Sequence, residues 1–254
     1  MLLAIDIGNT NIVIGVYEND ILHSHWRISS TTSRTGDECW LILTQLLSQF
    51  NLSLSAIDGV IIASVVPNAT PSFSRMAEER LNINPIIVTS DLDFGLVNKY
   101  SDPQAVGADR LVNAIAGYTR YGAPLIIIDF GTATTFDVVS KNKEYLGGII
   151  APGVESSAMV LHRNAARLPK VEMKFPERLI GNSTETSIQS GIMYGTVEMI
   201  DGMVLRIQDE LGEQAKTVAT GGLADIIVPY CKTVHDSDPM LTLDGLNIIY
   251  KKLH

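Results

Sequence analysis

The chain has 254 residues, 46% hydrophobic and 19% charged, a balance that excludes an intrinsically disordered protein. Its net charge of −9 argues against nucleic acid as a partner, because a negative surface repels phosphate backbones. No apolar run reaches the ~20 residues that a membrane-spanning helix needs, and the first residues lack the basic leader of a secretory signal. We therefore expect a cytoplasmic protein that contacts no membrane.

A short hairpin pattern occurs twice in the sequence, about half a chain apart. The first copy has an apolar run ending at Asp6, then Gly8 and a second β-rich run at 12–17. The second copy has Asp129 and Gly131 at the corresponding places, again followed by a β-rich run. The repeat predicts a duplicated protein, which we divide into halves at 1–120 and 121–254.

Strands in the first half are predicted from alternating or continuous apolar runs at 2–7, 12–17, 21–28, 59–66 and 85–89. The capping box Thr35–Glu38 predicts a helix whose apolar face extends to Phe50. Thr70 is the predicted N-cap of a second helix, ahead of a proline. Residues 91–106 are expected to form a long loop, and a third helix begins with Gly107.

In the second half, strands are predicted at the repeated hairpin and at 145–150 and 216–220. A helix is predicted from Pro152 to about Ala166, and further helices at 186–211, after Gly222 and at 243–253. The spacing of the three glycines in 186–211 suggests close packing against another backbone. Strands that alternate with helices in both halves indicate an α/β fold with mixed sheets.

The residue types of the hairpin turns suit nucleotide phosphates. Glycine lets the backbone approach a ligand closely, and Asn9, Thr10 and Asn11 can donate hydrogen bonds to phosphate oxygens. Asp6 can hold Mg²⁺, directly or through water. A P-loop and a dinucleotide fingerprint are both absent from the sequence. Asp and Gly could merely shape a hairpin, but the second copy and the turn Thr220–Gly222 favour phosphate binding.

Asp109 is the candidate general base. It lies in the first turn of a predicted helix, where the helix dipole favours the ionised carboxylate that can accept a proton. Arg110 beside it offers a forked donor for a carboxylate or phosphoryl group. Asp109 could equally do no more than cap the helix or place a negative charge at its N-terminus, and the residues alone leave both interpretations open. Asp129 stays open between a Mg²⁺ ligand, a monovalent-cation ligand and a structural relic of the duplication.

Several segments, in order along essentially the whole chain, resemble the type III pantothenate kinases of the acetate and sugar kinase/Hsp70/actin superfamily. They are Asp6–Asn11, Gly107–Arg110, Asp129–Thr135, Gly147–Gly153 and Thr220–Gly222. The resemblance implies duplicated actin-like, ribonuclease H-like ATPase domains with mixed β-sheets flanked by helices. It also implies that a homodimer phosphorylates pantothenate with ATP, giving 4′-phosphopantothenate in the first step of coenzyme A synthesis.

Carried over residue by residue, the resemblance makes Asp109 the catalytic base. ATP would be held by Asp6, Ile7, Gly8, Asn9, Thr10, Asn11, Ile12, Val13, Thr132, Gly221 and Gly222. Pantothenate would be held by Tyr100, Gly107, Ala108, Asp109, Arg110 and Thr184. Asp129 would bind the monovalent cation, K⁺ or NH₄⁺, and Asp6 would bind Mg²⁺. Thr184 would complete the pantothenate site near the subunit interface, in a segment Gly181–Thr184 that lacks the lysine usual in the family.

Two rival interpretations keep the same fold. One is a kinase of another small hydroxylated acid or sugar, against which the Gly107–Arg110 signature argues. The other is a nucleotide-binding regulator without turnover. Such a protein should have lost the base that Asp109 supplies, and the sequence also lacks basic DNA-reading elements.

Overall fold

The computed structural model describes residues 1–30, 33–92, 95–165 and 167–254. Over these residues the strands are β1 Leu2–Ile7, β2 Asn11–Glu18, β3 Ile21–Ser29, β4 Gly59–Ser64, β5 Ile86–Ile87, β6 Val97–Asn98, β7 Leu125–Phe130, β8 Ala133–Val139, β9 Glu144–Pro152, β10 Lys216–Gly221 and β11 Asp236–Ser237. The α-helices are α1 Gly36–Ser48, α2 Thr70–Met76, α3 Ala108–Tyr121, α4 Val154–Asn164, α5 Thr184–Leu211, α6 Ala224–Ile227 and α7 Leu241–Lys252. Shorter helical turns lie at Leu54–Ala56, Ala77–Leu81, Pro103–Ala105 and Val228–Tyr230.

The chain divides into two compact units. Unit 1 contains Met1–Leu96, Tyr100–Ala116 and Leu241–His254, and unit 2 contains Val97–Lys99 and Gly117–Met240. The division predicted from the sequence at 120/121 differs from these units mainly at the carboxyl end. There α7 returns to unit 1 and packs against β1, β2 and β4.

The sheet of unit 1 has the strand order β3-β2-β1-β4-β5. Strands β1, β2 and β3 are antiparallel neighbours, whereas β4 runs parallel to β1. Alternate residues of β1 face opposite sides of the sheet. Leu3, Ile5 and Ile7 enter the core that α1 and α2 cover. The other face is covered by α7, where the hydroxyl of Tyr17 donates to Asp244 at 2.6 Å.

The sheet of unit 2 repeats the topology of unit 1. Its order is β11-β10-β7-β8-β9-β6, so that β9-β8-β7-β10-β11 corresponds to β3-β2-β1-β4-β5. In both units the central hairpin is antiparallel, and the strand on its other side, β4 or β10, is parallel. Buried residues of α5, among them Met193 and Ile200, cover one face of this sheet. The predicted duplicated α/β fold with mixed sheets is confirmed.

Two predicted details of unit 1 are wrong. Thr70 is not an N-cap, because Ala69 holds that position and the Thr70 hydroxyl instead donates to Ser64 Oγ at 2.7 Å. Phe50 does not continue the buried face of α1, since the helix ends at Ser48 and Phe50 is 53% exposed. The capping box of Thr35 and Glu38, by contrast, is present as predicted.

Further corrections concern the loops and helices of the second half. Pro152 does not start a helix, because it still pairs with Ala133 in the sheet and α4 begins at Val154. The predicted helix end at Ala166 lies outside the described residues. The predicted loop 91–106 contains β6 and a helical turn in its described part. Within the described chain the glycines of α5 pack against no other segment, since a Cβ added to Gly191, Gly195 or Gly202 meets no described atom within 4 Å.

No α-helix in the described part of the chain has the length and apolar character required to cross a membrane.

A close contact between two helices of unit 1, α7 and α3, depends on a glycine. A Cβ on Gly245 would lie 2.6 Å from both the Cγ1 and the carbonyl oxygen of Val112. We expect Gly245→Ala to lower the free energy of unfolding by about 1–3 kcal/mol, since the two backbones must separate. Gly202→Ala is the matched control and should raise it by up to about 1 kcal/mol through helix propensity. Denaturant unfolding of both variants measures this difference, and equal effects would contradict it.

Candidate active site

The first candidate phosphate turn joins β1 to β2. The amide of Gly8 donates to the carbonyl of Asn11 at 3.0 Å and closes the turn. A Cβ on Gly8 would lie 3.1 Å from the same oxygen, so the turn favours glycine. Asn9, Thr10 and Asn11 are exposed at its tip. Because the Gly8 amide is used inside the turn, a phosphate must be held by donors of the residues that follow it.

The other predicted residues of this segment differ in what they can offer a ligand. Ile7 and Ile12 are buried in the core of unit 1, so only their backbone atoms can serve ATP. Val13 and Asp6 are half-buried and pair with each other across the hairpin. Asp6 thus lies at the turn end of β1, on the face of the sheet opposite to Ile5 and Ile7.

The second candidate phosphate turn joins β7 to β8 in unit 2. The amide of Gly131 donates to the carbonyl of Ala133 at 3.1 Å, which repeats the self-closing arrangement of the first turn. Thr132 is exposed at the tip, and its carbonyl accepts from Ser156 Oγ at 2.7 Å. A Cβ on Gly153 would collide with the carbonyls of Gly131 and Thr132. The start of α4 therefore holds this turn firmly.

Gly153 and Ser156 were not predicted as site residues. The signal that could have found them is a glycine followed three residues later by a serine, directly before the helix that succeeds the repeated hairpin. A glycine there allows two backbone segments to approach closely.

Asp129 lies next to this turn, at the end of β7. A Cβ on Gly221 would lie 2.6 Å from Asp129 Oδ1, and Gly221 has a φ of +92°, which only glycine adopts without strain. Gly221 thus leaves the space that the carboxylate occupies. Gly222 follows as an exposed turn residue. A carboxylate supplies oxygen ligands of the kind that hard cations bind.

Among the described residues, no group of three or more His, Cys, Asp or Glu side chains is gathered to hold a metal ion. Mg²⁺ that accompanies a nucleotide keeps several waters and takes one or two protein carboxylates in addition to phosphate oxygens. Asp6, at the end of β1 beside the first turn, has the chemistry and position for such a single carboxylate ligand.

Asp109 is the second residue of α3 and is held by its neighbours. Its Oδ1 accepts the backbone N–H of Arg110 at 2.8 Å. A Cβ on Gly107 would collide with the same oxygen, so the carboxylate occupies the space that this glycine leaves open. Burial raises the pKa of Asp109 above its ordinary value, although the backbone N–H and the guanidinium of Arg110 act in the opposite direction. A carboxylate with a raised pKa is a stronger proton acceptor than an exposed one.

The predicted pantothenate residues do not all belong to one unit. Tyr100, Gly107, Ala108, Asp109 and Arg110 belong to unit 1, and within it Arg110 is 8% exposed and Tyr100 half-buried. Thr184 belongs to unit 2, where it is exposed at the start of α5. It lines a groove of about 850 Å³ along α4 and α5, together with Leu161, Leu168 and Ile188.

Solved structures of other proteins share this architecture. A ROK family glucokinase from Streptomyces griseus, in complex with glucose and AMPPNP, matches with a TM-score of 0.56 and 12% identity, covering 99% of this chain and 98% of its own. A protein described as a Baf family transcriptional activator from Campylobacter jejuni matches with a TM-score of 0.62 and 20% identity, covering 99% and 98%. At these identities the likeness shows the fold alone. Two mixed sheets, each built around a central antiparallel hairpin, define the fold class that this chain shares with these structures.

The sequence narrows this class to one family. The family model described as type III pantothenate kinase matches residues 2–206. A type III pantothenate kinase of Moorella thermoacetica is 47% identical over 252 residues, which covers 99% of this chain and 99% of that protein. The chain belongs to the type III pantothenate kinase family.

The contact between Gly107 and Asp109 gives a test of the candidate base. Gly107→Ala should force the carboxylate out of its position and lower kcat by about 10- to 100-fold, because proton transfer depends on hydrogen-bond geometry. Gly36→Ala serves as control, since a Cβ there meets only ordinary contacts at 3.4 Å or more. Steady-state kinetics and thermal unfolding are measured on both variants. Unchanged kcat in a folded Gly107→Ala variant would contradict this geometry.

Proposed function

We propose that Asp109 is the general base in the ATP-dependent phosphorylation of pantothenate, the reaction of the family to which this chain belongs. The observation that carries the proposal is the environment of the Asp109 carboxylate. It is fixed by the amide of Arg110 and the empty side of Gly107, and burial raises its pKa. A base with these properties can accept a hydroxyl proton in the transition state.

The two self-closed turns are the proposed phosphate-binding elements. Exposed Asn9, Thr10 and Asn11 in the first turn and Thr132 in the second offer amide and hydroxyl donors at their tips. The fixed backbone of each turn means that these donors need little reorganisation when a phosphate binds. Gly221 and Gly222 are assigned to the nucleotide by family resemblance. Asp6 is assigned to Mg²⁺, directly or through water, because a metal at this place would offset phosphate charge.

The chemical step proposed is in-line phosphoryl transfer. The primary hydroxyl oxygen of pantothenate forms a bond to the terminal phosphorus of ATP as the bond from that phosphorus to the bridging oxygen of ADP breaks. Asp109 takes the hydroxyl proton. Tyr100, Gly107, Ala108 and Arg110 are assigned to holding pantothenate, with the Arg110 guanidinium as a forked donor for oxygen atoms. Catalysis then rests on positioning and charge.

A monovalent cation, K⁺ or NH₄⁺, is proposed at Asp129. The Asp129 carboxylate suits such an ion because it offers oxygen ligands, and Gly221 leaves the space in which its Oδ1 lies at the end of β7. Potassium binds preferentially to oxygen atoms of this kind, so that the ion would lower the electrostatic cost of bringing phosphates to the second turn.

A homodimer with Thr184 near the subunit interface is also proposed, and the protein is expected to act in the cytoplasm without nucleic acid or membrane partners. Two features of unit 2 support a second copy at this place. The groove beside Thr184 is open, and the neighbouring Leu179 and Ile180 are 64% and 86% exposed. Exposed apolar residues of this size are typical of surfaces that another chain covers.

The rival interpretations are not favoured by any feature of the described residues. A kinase for another acceptor would share both phosphate turns, and an acceptor screen distinguishes it. A regulator without turnover has no need of a buried carboxylate with a raised pKa at the start of α3. Maintaining such a group costs stability, which argues for its use in chemistry.

Replacement of the base gives the sharpest test of the proposed mechanism. Asp109→Asn should abolish pantothenate-dependent ADP release while leaving ATP binding largely intact, because the amide cannot accept the proton. Asp58→Asn is the matched control, since Asp58 is exposed and pairs only with the amino terminus in the described chain. In the unaltered protein, kcat/KM should fall as the pH drops through the raised pKa of Asp109. Near-normal turnover by Asp109→Asn would exclude Asp109 as the base.

The cation proposal has its own measurement. ADP release is followed with ATP, Mg²⁺ and pantothenate in K⁺ and again in Na⁺ alone. We expect faster release in K⁺, and we expect Asp129→Asn to lose the difference between the two salts. Asp225→Asn, an exposed carboxylate of unit 2 that binds Ser237, should keep it. Equal rates in both salts for the unaltered protein would refute a cation role for Asp129.

A further inference from the structure

A row of side chains crosses the sheet of unit 1 at the level of Asp6. Asp6 pairs with Val13, Val13 pairs with Arg27 on β3, and Asp6 pairs with Ala63 on its other side. Residues aligned across neighbouring strands project from the same face of a sheet. Arg27 therefore lies on the face of Asp6, two strands away and roughly 10 Å between Cα atoms.

A β-bulge is responsible for this placement. Tyr17 pairs with Leu22, but Val16 pairs with Ser24, so one extra residue of β3 is inserted between the two pairs. Without it, Val13 would stand opposite Trp26, and Arg27 would point to the other face. A one-residue shift of register exchanges the two faces of a strand. Bulges often redirect side chains next to active sites.

The face that carries Arg27 is also the one beside the proposed base. Val65 follows β4 two residues after Ala63, and a Cβ on Gly107 would contact its Cγ1 at 3.4 Å. Gly107 in turn lies against the Asp109 carboxylate. The far end of the same face is covered by α7, where Leu243 packs over Gly15. Asp6, Arg27 and the proposed base Asp109 are thus all placed towards the turn end of this face.

The positive charge of Arg27 is not neutralised by an ion pair with any described acidic residue. Arg27 is exposed, and it makes no hydrogen bond or ion pair with any described residue. Arg75 pairs with Glu79, and Arg80 with Asp37. The phosphate segment 6–13 itself contains no lysine or arginine. Phosphoryl transfer nevertheless needs positive charge near the terminal phosphate.

We propose that Arg27 binds the terminal phosphoryl group of ATP from across the first hairpin. Its aliphatic stem lies over Val13, and its guanidinium donates to non-bridging phosphate oxygens. Arg27 would then do for this hairpin what a lysine does in a P-loop. The inference rests on the proposed function, because it requires ATP phosphates at the turn Gly8–Asn11.

The test compares three replacements with one control. Arg27→Ala removes the side chain, Arg27→Gln keeps most of its length without charge, and Arg27→Lys keeps a positive charge. Arg75→Ala is the control, since it removes the same charge from an exposed position on α2 of unit 1. KM and kcat are measured for ATP and pantothenate, and the affinities for AMPPNP and ADP are measured by calorimetry. Thermal unfolding verifies that each variant is folded.

For Arg27→Ala and Arg27→Gln we expect kcat/KM for ATP to fall about 10- to 100-fold, the value of a lost charged hydrogen bond. AMPPNP affinity should fall, whereas ADP affinity and KM for pantothenate should stay unchanged. Arg27→Lys should recover part of the loss, and Arg75→Ala should match the unaltered protein. A merely structural residue would not separate AMPPNP from ADP.

Three results would overturn the inference: variants of Arg27 that match Arg75→Ala, equal losses of AMPPNP and ADP affinity, or a rise confined to KM for pantothenate. The last would assign Arg27 to the carboxylate of the acceptor. The proposed function has a separate test: it fails if the unaltered protein releases no ADP when pantothenate is added. In that case the comparison of AMPPNP with ADP still decides whether Arg27 contacts the terminal phosphoryl group.

Discussion

The self-closing hairpin turn is the constraint on which the candidate phosphate-binding residues of each unit depend. In each unit a glycine amide donates back across the turn, from Gly8 to Asn11 and from Gly131 to Ala133. This hydrogen bond consumes the glycine amide and directs the next residues outwards, where their donors are exposed. The turn is therefore formed before any ligand binds, and its donors need little rearrangement.

Each turn is held by a different neighbouring element of its own unit. The amide of Ser30, just after β3, donates to the carbonyl of Thr10 at 3.0 Å. In unit 2, Ser156 Oγ takes the equivalent role towards Thr132, and Gly153 allows the start of α4 to approach. The duplication thus preserves strand order and the glycine amide that closes the hairpin, while the length of the turn and its supporting contacts have diverged.

Local patterns in the sequence predicted the hairpins, the helix that carries Asp109 and the α/β class, because each depends on neighbouring residues. These local patterns could not predict contacts between segments that are distant in the sequence. The return of α7 to unit 1, the role of Gly153 and the true position of Thr70 all depend on which segments meet in space. The bulge between Val16 and Tyr17 is a further case. Counting residue pairs from the turn between β2 and β3 without the bulge would place Arg27 on the opposite face of the sheet.

The environment of Asp109 shows how opposing effects adjust a base. Burial alone would favour the neutral acid, which cannot accept a proton, whereas full exposure would leave a carboxylate too weak to attract one. The Arg110 amide and guanidinium act against burial, so that the pKa is raised but the ionised form keeps a hydrogen-bond partner. Because Gly107 leaves room for Oδ1, these two contacts are made without displacing the helix. The same three residues that mark the family in sequence therefore determine the strength and the position of its proposed base.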